Sequence, residues 1–175
     1  MSKKRNTMPV IDAVVNLQTT EALNYRPSDR REFYVEKMKV DAQVFEGLTL
    51  EGMLGLMDEV NIQKAFLIAP KNGQIGLEGS YHLPYEIVLD AVKVNPDRFY
   101  GLAGIDPTEG MEGVRSLERA VKEFGFIGAH SYPHWFELSP DDRKYYPFYA
   151  KCVELDVPIQ MQVGQSLIYS PKAPK

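Results

Sequence analysis

The side chains through which this chain could do chemistry are few: three histidines (His82, His130, His134), one cysteine (Cys152), and scattered amides and arginines. His130 and His134 are four residues apart, a spacing at which two imidazoles on one helix face grip a metal. Here Pro133 lies between them and His130 falls in a strand-like run, so the spacing is not helical and metal ligation by the pair is not expected. Because an unperturbed imidazole titrates near neutrality, His130 is instead a candidate for hydrogen bonding or proton shuttling. By strand parity Tyr132 lies on the same side as His130, and Trp135 and Phe136 follow in a loop where they could wall a pocket for a flat substrate. Gln160 and Gln162 share one face of a later strand, and Asn16 closes the first. Such neutral amides suit either a polar substrate or a satisfied internal network. The expected substrate-binding set is therefore Asn16, His130, Tyr132, His134, Trp135, Gln160 and Gln162, with His130 the candidate for catalysis.

The remaining polar groups read more plainly. Cys152 falls on an apolar helical stripe beside no evident base, as an inert core thiol does. Asp106, before Pro107, reads as a turn residue, and His82, near Pro84, as a surface one. Asp12 is expected to hydrogen-bond backbone near the start of its strand. Arg26, Arg30 and Arg31 cluster beside Tyr25 and Tyr34; they could hold a carboxylate, although a solvated face is the expectation. Gly73, Gly76 and Gly79 lack the spacing of a phosphate loop and mark a mobile loop.

The elements that must position these groups alternate. Strands are expected at 10–17, 64–70, 99–105, 125–133 and 158–164, each apolar or β-branched. Between them, Leu50, Met53, Leu54, Met57 and Val60 keep helical spacing after a capping Thr49. Ile87, Val88, Ala91 and Val94 do so after Pro84, and Met111, Val114, Leu117, Val121 and Phe124 after Thr108. Tyr145, Phe148, Tyr149, Cys152 and Val153 follow a helix start at Ser139-Pro140-Asp141-Asp142. Residues 19–46 form an irregular excursion with a short helix near Arg30–Lys39. Strands alternating with helices imply a parallel sheet, as a doubly wound sheet or as the first five βα units of a (β/α)₈ TIM barrel. Either fold places ligands at the carboxyl ends of the strands. The expected organisation is a flexible tail over 1–9, the α/β portion over 10–164, and an irregular segment over 165–175.

Composition narrows the function classes. With 44% hydrophobic and 25% charged residues and a net charge of −4, the 175-residue chain is an ordinary globular protein. No basic face for nucleic acid, no span for a membrane and no disulfide scaffold is expected. The basic N-terminus is followed by no apolar run, so the cytoplasm is the default.

Residues 119–164 carry three motifs in order: Gly125-Phe126-Ile127-Gly128, then Asp141-Asp142 with Tyr146-Pro147 and Tyr149, then Pro158 through Gly164. This run resembles the second amidohydrolase branch of the amidohydrolase superfamily, which contains the aminocarboxymuconate-semialdehyde decarboxylase-like enzymes. Thr49–Ile68 and Phe99–Pro107 resemble the family's earlier βα elements. The resemblance implies a TIM barrel and metal-assisted hydrolysis, or non-oxidative decarboxylation, of a small and often aromatic-derived carboxylic acid. The family's metal is held by two histidines of an Ile-Asp-x-His-x-His strand, by a later histidine and by an aspartate on strand eight. The matching positions here are Val14, Asn16 and Gln162, with no eighth strand present, so no cofactor is expected. The expectation is an amidohydrolase-type hydrolase or carbon–carbon lyase with a barrel incomplete in these 175 residues. Two alternatives stand beside it: a non-catalytic remnant pairing its open strands in a homodimer, and a complete doubly wound small-molecule-binding domain.

Overall fold

The computed structural model describes residues 8–27 and 31–163. Among these residues, seven strands and six α-helices follow in order. β1 (Val10–Asn16), α1 (Thr20–Leu23), α2 (Ala42–Glu46), α3 (Leu50–Glu59) and β2 (Ile62–Ala69) come first. Next are β3 (Lys71–Asn72), β4 (Tyr81–His82), α4 (Tyr85–Val94), β5 (Phe99–Gly104) and α5 (Gly110–Lys122). The last are β6 (Gly128–Ser131), α6 (Tyr146–Glu154) and β7 (Ile159–Met161). One turn of π-helix occupies Glu32–Lys37 inside the excursion where a short α-helix was expected.

The main sheet has the order β1-β2-β5-β6-β7, and every neighbouring pair is parallel. The strands lie side by side in chain order, with α3, α4, α5 and α6 in the successive crossovers. A doubly wound sheet reverses its strand order at a switch point, and none exists here, so that alternative falls. The arrangement is five consecutive staves of a (β/α)₈ barrel.

The two faces of the sheet differ. Ala65, Leu67, Ala69, Phe99, Ala103 and Ala129 join the helix residues Met53, Met57, Val88, Val114, Leu117 and Phe148 in the main core. Phe126 fills the space over Gly101, where a Cβ would stand 2.5 Å from its ring. Ile68 and Leu102 are equally buried but lie on the other face, the barrel interior, in a register row with Asn16 and Gly128.

Three local expectations shift. Asp106, not Thr108, starts the helical segment after β5: its Oδ1 accepts from the Thr108 amide (2.7 Å) and hydroxyl (2.6 Å). The segment from Ser139 makes turns rather than helix; α6 begins at Tyr146, with Pro147 in its first turn, and the Tyr149 hydroxyl donates to the Pro140 carbonyl. Val60, Val94, Met111 and Val153, placed on the apolar helical stripes, are 63%, 61%, 58% and 81% exposed.

β1 also breaks its expected parity. Asp12 pairs with Ala65 and Val15 with Leu67, so β1 carries one extra residue there, a bulge held by Asp12 Oδ1 accepting from the Val14 amide at 3.2 Å. Asp12 consequently sits in register with the helix-side face and Asn16 with the inner face, where simple alternation puts both on one side. Val14 lies in the bulge and is 54% exposed.

Candidate active site at the strand ends

The inner mouth is built where β1, β6 and β7 end. Asn16 borders a cavity of about 480 Å³ roofed by the excursion after β1 and also lined by Arg26, Arg31, Tyr34, Phe45 and Tyr81. The excursion is anchored at its base, where the Leu48 amide donates to the Gln18 carbonyl at 2.8 Å, and by caps: Thr19 on α1 and Asp41 on α2. Arg26 is held by donation to Gln18 Oε1 (3.1 Å) and to the Leu17 carbonyl (3.2 Å). That contact orients its guanidinium along the wall of the cavity instead of leaving it as a solvated face. Arg31 is half exposed and faces Glu46 at 3.5 Å. Arg30 lies outside the described residues.

His130 ends in this mouth almost fully buried, its ring 4.3 Å from that of Tyr132. Burial alone pushes its pKa down to about 4, so the imidazole is neutral at physiological pH. Burial likewise raises the Tyr132 hydroxyl well above its ordinary value; neighbouring Tyr81 and Tyr34 add to the shift and Arg26 opposes it. Those neighbours tie Tyr132 to the cavity under the excursion. His134 sits in the single 3₁₀ turn Pro133–Phe136, its pKa lowered by burial and partly restored by a hydrogen bond to the Gln162 backbone. Trp135 is half-buried in the same turn, its carbonyl close to Gly73. Gln160 is the cross-strand partner of His130 on the inner face. Gln162 lies beyond the end of β7 and is exposed; its amide donates to the Ser131 carbonyl at 3.0 Å. Cys152 is buried and its thiol pushed up to about 11 by burial, which suits a core residue.

A second polar cluster escaped the reading of the sequence. The glycine-rich segment after β2 forms the β3–β4 hairpin, which pairs Lys71 with His82 and Asn72 with Tyr81. Lys71 Nζ meets Glu109 Oε2 at 2.5 Å, while His82 sits between two carboxylates, Nε2 3.5 Å from Asp106 Oδ2 and Nδ1 3.7 Å from Glu109 Oε1. His82 also contacts the Gly73 carbonyl at 3.0 Å and is largely buried, not a surface residue. Its pKa is lowered, mainly by burial and with help from the Lys71 ammonium, against the hydrogen bond to Gly73 and the pull of both carboxylates. Lys71 and Glu109 are 38 positions apart, so no local spacing announces them. Lys71→Met removes the short ion pair of the partly buried Glu109 and leaves it only the more distant His82. It is expected to cost about 2 kcal/mol by chemical denaturation and to raise the His82 pKa measured by NMR titration; an unchanged His82 pKa contradicts the assignment.

The positions that correspond to the metal ligands of the resembled family carry other chemistry. Val14 is a hydrocarbon in an exposed bulge, and Asn16 and Gln162 are neutral amides, one on the cavity wall and one past its strand. Zinc and manganese favour imidazole, thiolate or carboxylate, so this donor set does not fit the ion. The described residues that do cluster as possible ligands are His82, Asp106 and Glu109, and there the Lys71 ammonium already neutralises Glu109.

Comparisons with known proteins agree with this architecture. The chain is 36% identical over 88 residues to 2-keto-4-carboxy-3-hexenedioate hydratase of Sphingobium sp., an alignment covering 46% of this chain and 26% of that protein. It is 29% identical over 86 residues to gamma-resorcylate decarboxylase of Polaromonas sp., covering 43% and 25%. Among solved structures it superposes on 5-carboxyvanillate decarboxylase of Novosphingobium aromaticivorans, determined with manganese and a nitrobenzoic acid bound. There the TM-score is 0.63 at 20% identity, over 86% of this chain and 49% of that one. The chain thus spans about a quarter of the curated relatives it matches and half of that solved structure. The Amidohydro_2 family model, described as amidohydrolase, matches residues 67–174, well over half of the sequence, and with the barrel order of the strands this places the chain in the amidohydrolase family.

Proposed function

We propose that this chain forms the substrate-carboxylate half of an enzyme that hydrolyses or non-oxidatively decarboxylates a small, aromatic-type carboxylic acid. The observation that carries the reading is Arg26, fixed by Gln18 and the Leu17 carbonyl on the wall of a cavity at the strand ends. A guanidinium offers a carboxylate two parallel donors and stays charged at any physiological pH. Tyr34, Phe45 and Tyr81 supply apolar surface to a flat carbon skeleton. Asn16 adds an amide on the cavity wall, and the neutral His130, packed against Tyr132, ends β6 at the same end of the sheet. His134, Trp135 and Gln162 belong to the loops that rim the same mouth. The two curated relatives, one a hydratase and one a decarboxylase, act on substrates whose names include carboxylic acids, which supports the substrate class.

Calorimetric titration of the purified chain with benzoate tests the reading. Wild type is expected to bind, and Arg26→Met to weaken binding at least about tenfold, the loss of a charge-assisted pair. Equal binding by both proteins, or none by wild type, removes Arg26 as the carboxylate anchor.

A further inference from the structure

His82, Asp106 and Glu109 each commit one polar atom to a neighbour and turn a second toward the others. Asp106 Oδ1 accepts from the Thr108 amide and hydroxyl, and its Oδ2 lies 3.5 Å from His82 Nε2. Glu109 Oε2 is held by Lys71 Nζ at 2.5 Å, and its Oε1 lies 3.7 Å from His82 Nδ1. His82 Nε2 is 3.0 Å from the Gly73 carbonyl, which can only accept, so in the neutral ring Nε2 carries the hydrogen. Nδ1 is then left with a lone pair, and it faces the lone pairs of Glu109 Oε1. Two acceptors turned on each other need a proton or a cation between them.

Charge balance points the same way. Two carboxylates here share one ammonium, that of Lys71, and Asp106 is only 2% exposed. Buried charges are paired or coordinate a metal. One donor atom from each of His82, Asp106 and Glu109 lies within 4.8 Å of the other two. Nitrogen and oxygen ligands stand about 2 Å from a zinc ion, so donors on opposite sides of it are about 4 Å apart. A small rotation of the partly exposed Glu109 side chain closes the difference. The contacts to Gly73, Thr108 and Lys71 already orient the three groups from behind, as outer hydrogen bonds do around a bound ion. A cavity of about 210 Å³ lined by His82, Lys71, Ser116 and Arg119 gives an ion its way in.

We propose that His82, Asp106 and Glu109 form a binding site for a divalent transition-metal ion of the zinc class, with Nδ1, Oδ2 and Oε1 as its protein ligands. The ion ties the β3–β4 hairpin, which carries His82, to the turn between β5 and α5, which carries Asp106 and Glu109. Tyr81, beside His82, lines the cavity next to Arg26, so the same tie steadies that wall. The site shares no residue with Val14, Asn16 and Gln162, the positions that match the family's metal ligands, and it does not depend on the Arg26 reading. One imidazole with two carboxylates selects zinc over magnesium or calcium, which take shells of oxygen alone.

The test uses Zn²⁺ and Mg²⁺ separately on the intact chain, after treatment with a chelator and dialysis. In calorimetric titration wild type is expected to take up one equivalent of Zn²⁺, at least about tenfold more tightly than Mg²⁺. Zn²⁺ is expected to raise the thermal midpoint of wild type. His82→Gln and Glu109→Gln are each expected to weaken Zn²⁺ binding at least about tenfold and to lose that rise. NMR of wild type needs no substitution, so it decides even where a variant fails to fold: Zn²⁺ is expected to move the ring resonances of His82 and to leave those of the buried His130 in place. Absence of saturable Zn²⁺ binding, equal affinity for Mg²⁺, unmoved His82 resonances, or full Zn²⁺ binding by both folded variants overturns the site.

Discussion

Gly104→Ala is expected to destabilise the protein by about 3 kcal/mol or more and to lower its thermal midpoint by roughly 10 °C. Gly104 is the last residue of β5, buried opposite His130. A Cβ built there stands 2.0 Å from the Ala69 carbonyl oxygen and 2.9 Å from the Lys71 amide nitrogen. Both obstacles are backbone, so no side chain can swing aside. Their position has a cause in the sequence: Pro70 has no amide hydrogen to continue the parallel ladder, and the chain leaves β2 across the end of β5 to enter the β3–β4 hairpin. The hairpin closes where the Leu83 amide donates to the Pro70 carbonyl at 2.9 Å. The Tyr85 hydroxyl fixes the crossing from below by donating to the Gly104 carbonyl at 2.5 Å.

Because that crossing sets the course of the hairpin, Gly104→Ala is also expected to displace Tyr81, which lines the cavity, and so weaken ligand binding in the molecules that remain folded. Gly76→Ala serves as the control. Its glycine has a φ of +97° but open space around the Cβ, so its cost is confined to backbone strain of roughly 1 kcal/mol. Thermal melts of the two variants side by side check the prediction; equal losses would mean that contact with the Ala69 carbonyl is relieved cheaply.

These crossings explain which parts of the molecule were legible beforehand. The βα rhythm was, because the central strands β2, β5 and β6 carry apolar runs that are largely buried at their carboxyl ends and each crossover helix shows one apolar stripe, patterns that survive in one dimension. The motif from Gly125 to Gly128 was also visible; Gly128 faces the Pro158 carbonyl at 2.8 Å from a would-be Cβ, so the resemblance reflects a real steric demand. Irregularities were not. The bulge at Ala13–Val14 depends on an Asp12 side chain accepting from a backbone amide, and it puts Asn16 and Asp12 on opposite faces where simple alternation puts them on one. Strands of two residues hidden among glycines, β3 and β4, have no periodicity to detect, and without that hairpin neither Asn72 nor the pairing of His82 with Asp106 and Glu109 can be placed. Arg26 was visible as a basic residue beside tyrosines. Its value as an anchor appears only when Gln18 and the Leu17 carbonyl, eight and nine residues back along the chain, fold around it.

Acidification is expected to unfold this protein largely through His130. In the folded state burial holds its pKa at about 4, whereas in the unfolded chain it returns to the ordinary value of 6.5. The unfolded state therefore binds a proton at a pH where the native state refuses one. Stability falls as pH drops below the unfolded value and stops falling once both states are protonated. The gap between the two values corresponds to about 3 kcal/mol, lost between roughly pH 6.5 and pH 4. His82 and His134, whose values are also lowered chiefly by burial, act in the same direction and widen the loss. The buried Cys152 and Tyr145, raised to about 11 and about 12, add nothing in this range. Urea denaturation midpoints at steps across that interval measure the slope. His130→Phe keeps the ring's volume beside Tyr132 and removes the proton-binding nitrogen, so it is expected to flatten most of the acid limb while leaving neutral-pH stability equal or higher. If the acid limb of His130→Phe is as steep as that of wild type, protonation elsewhere drives the transition and the neutral, buried state of His130 is disproved.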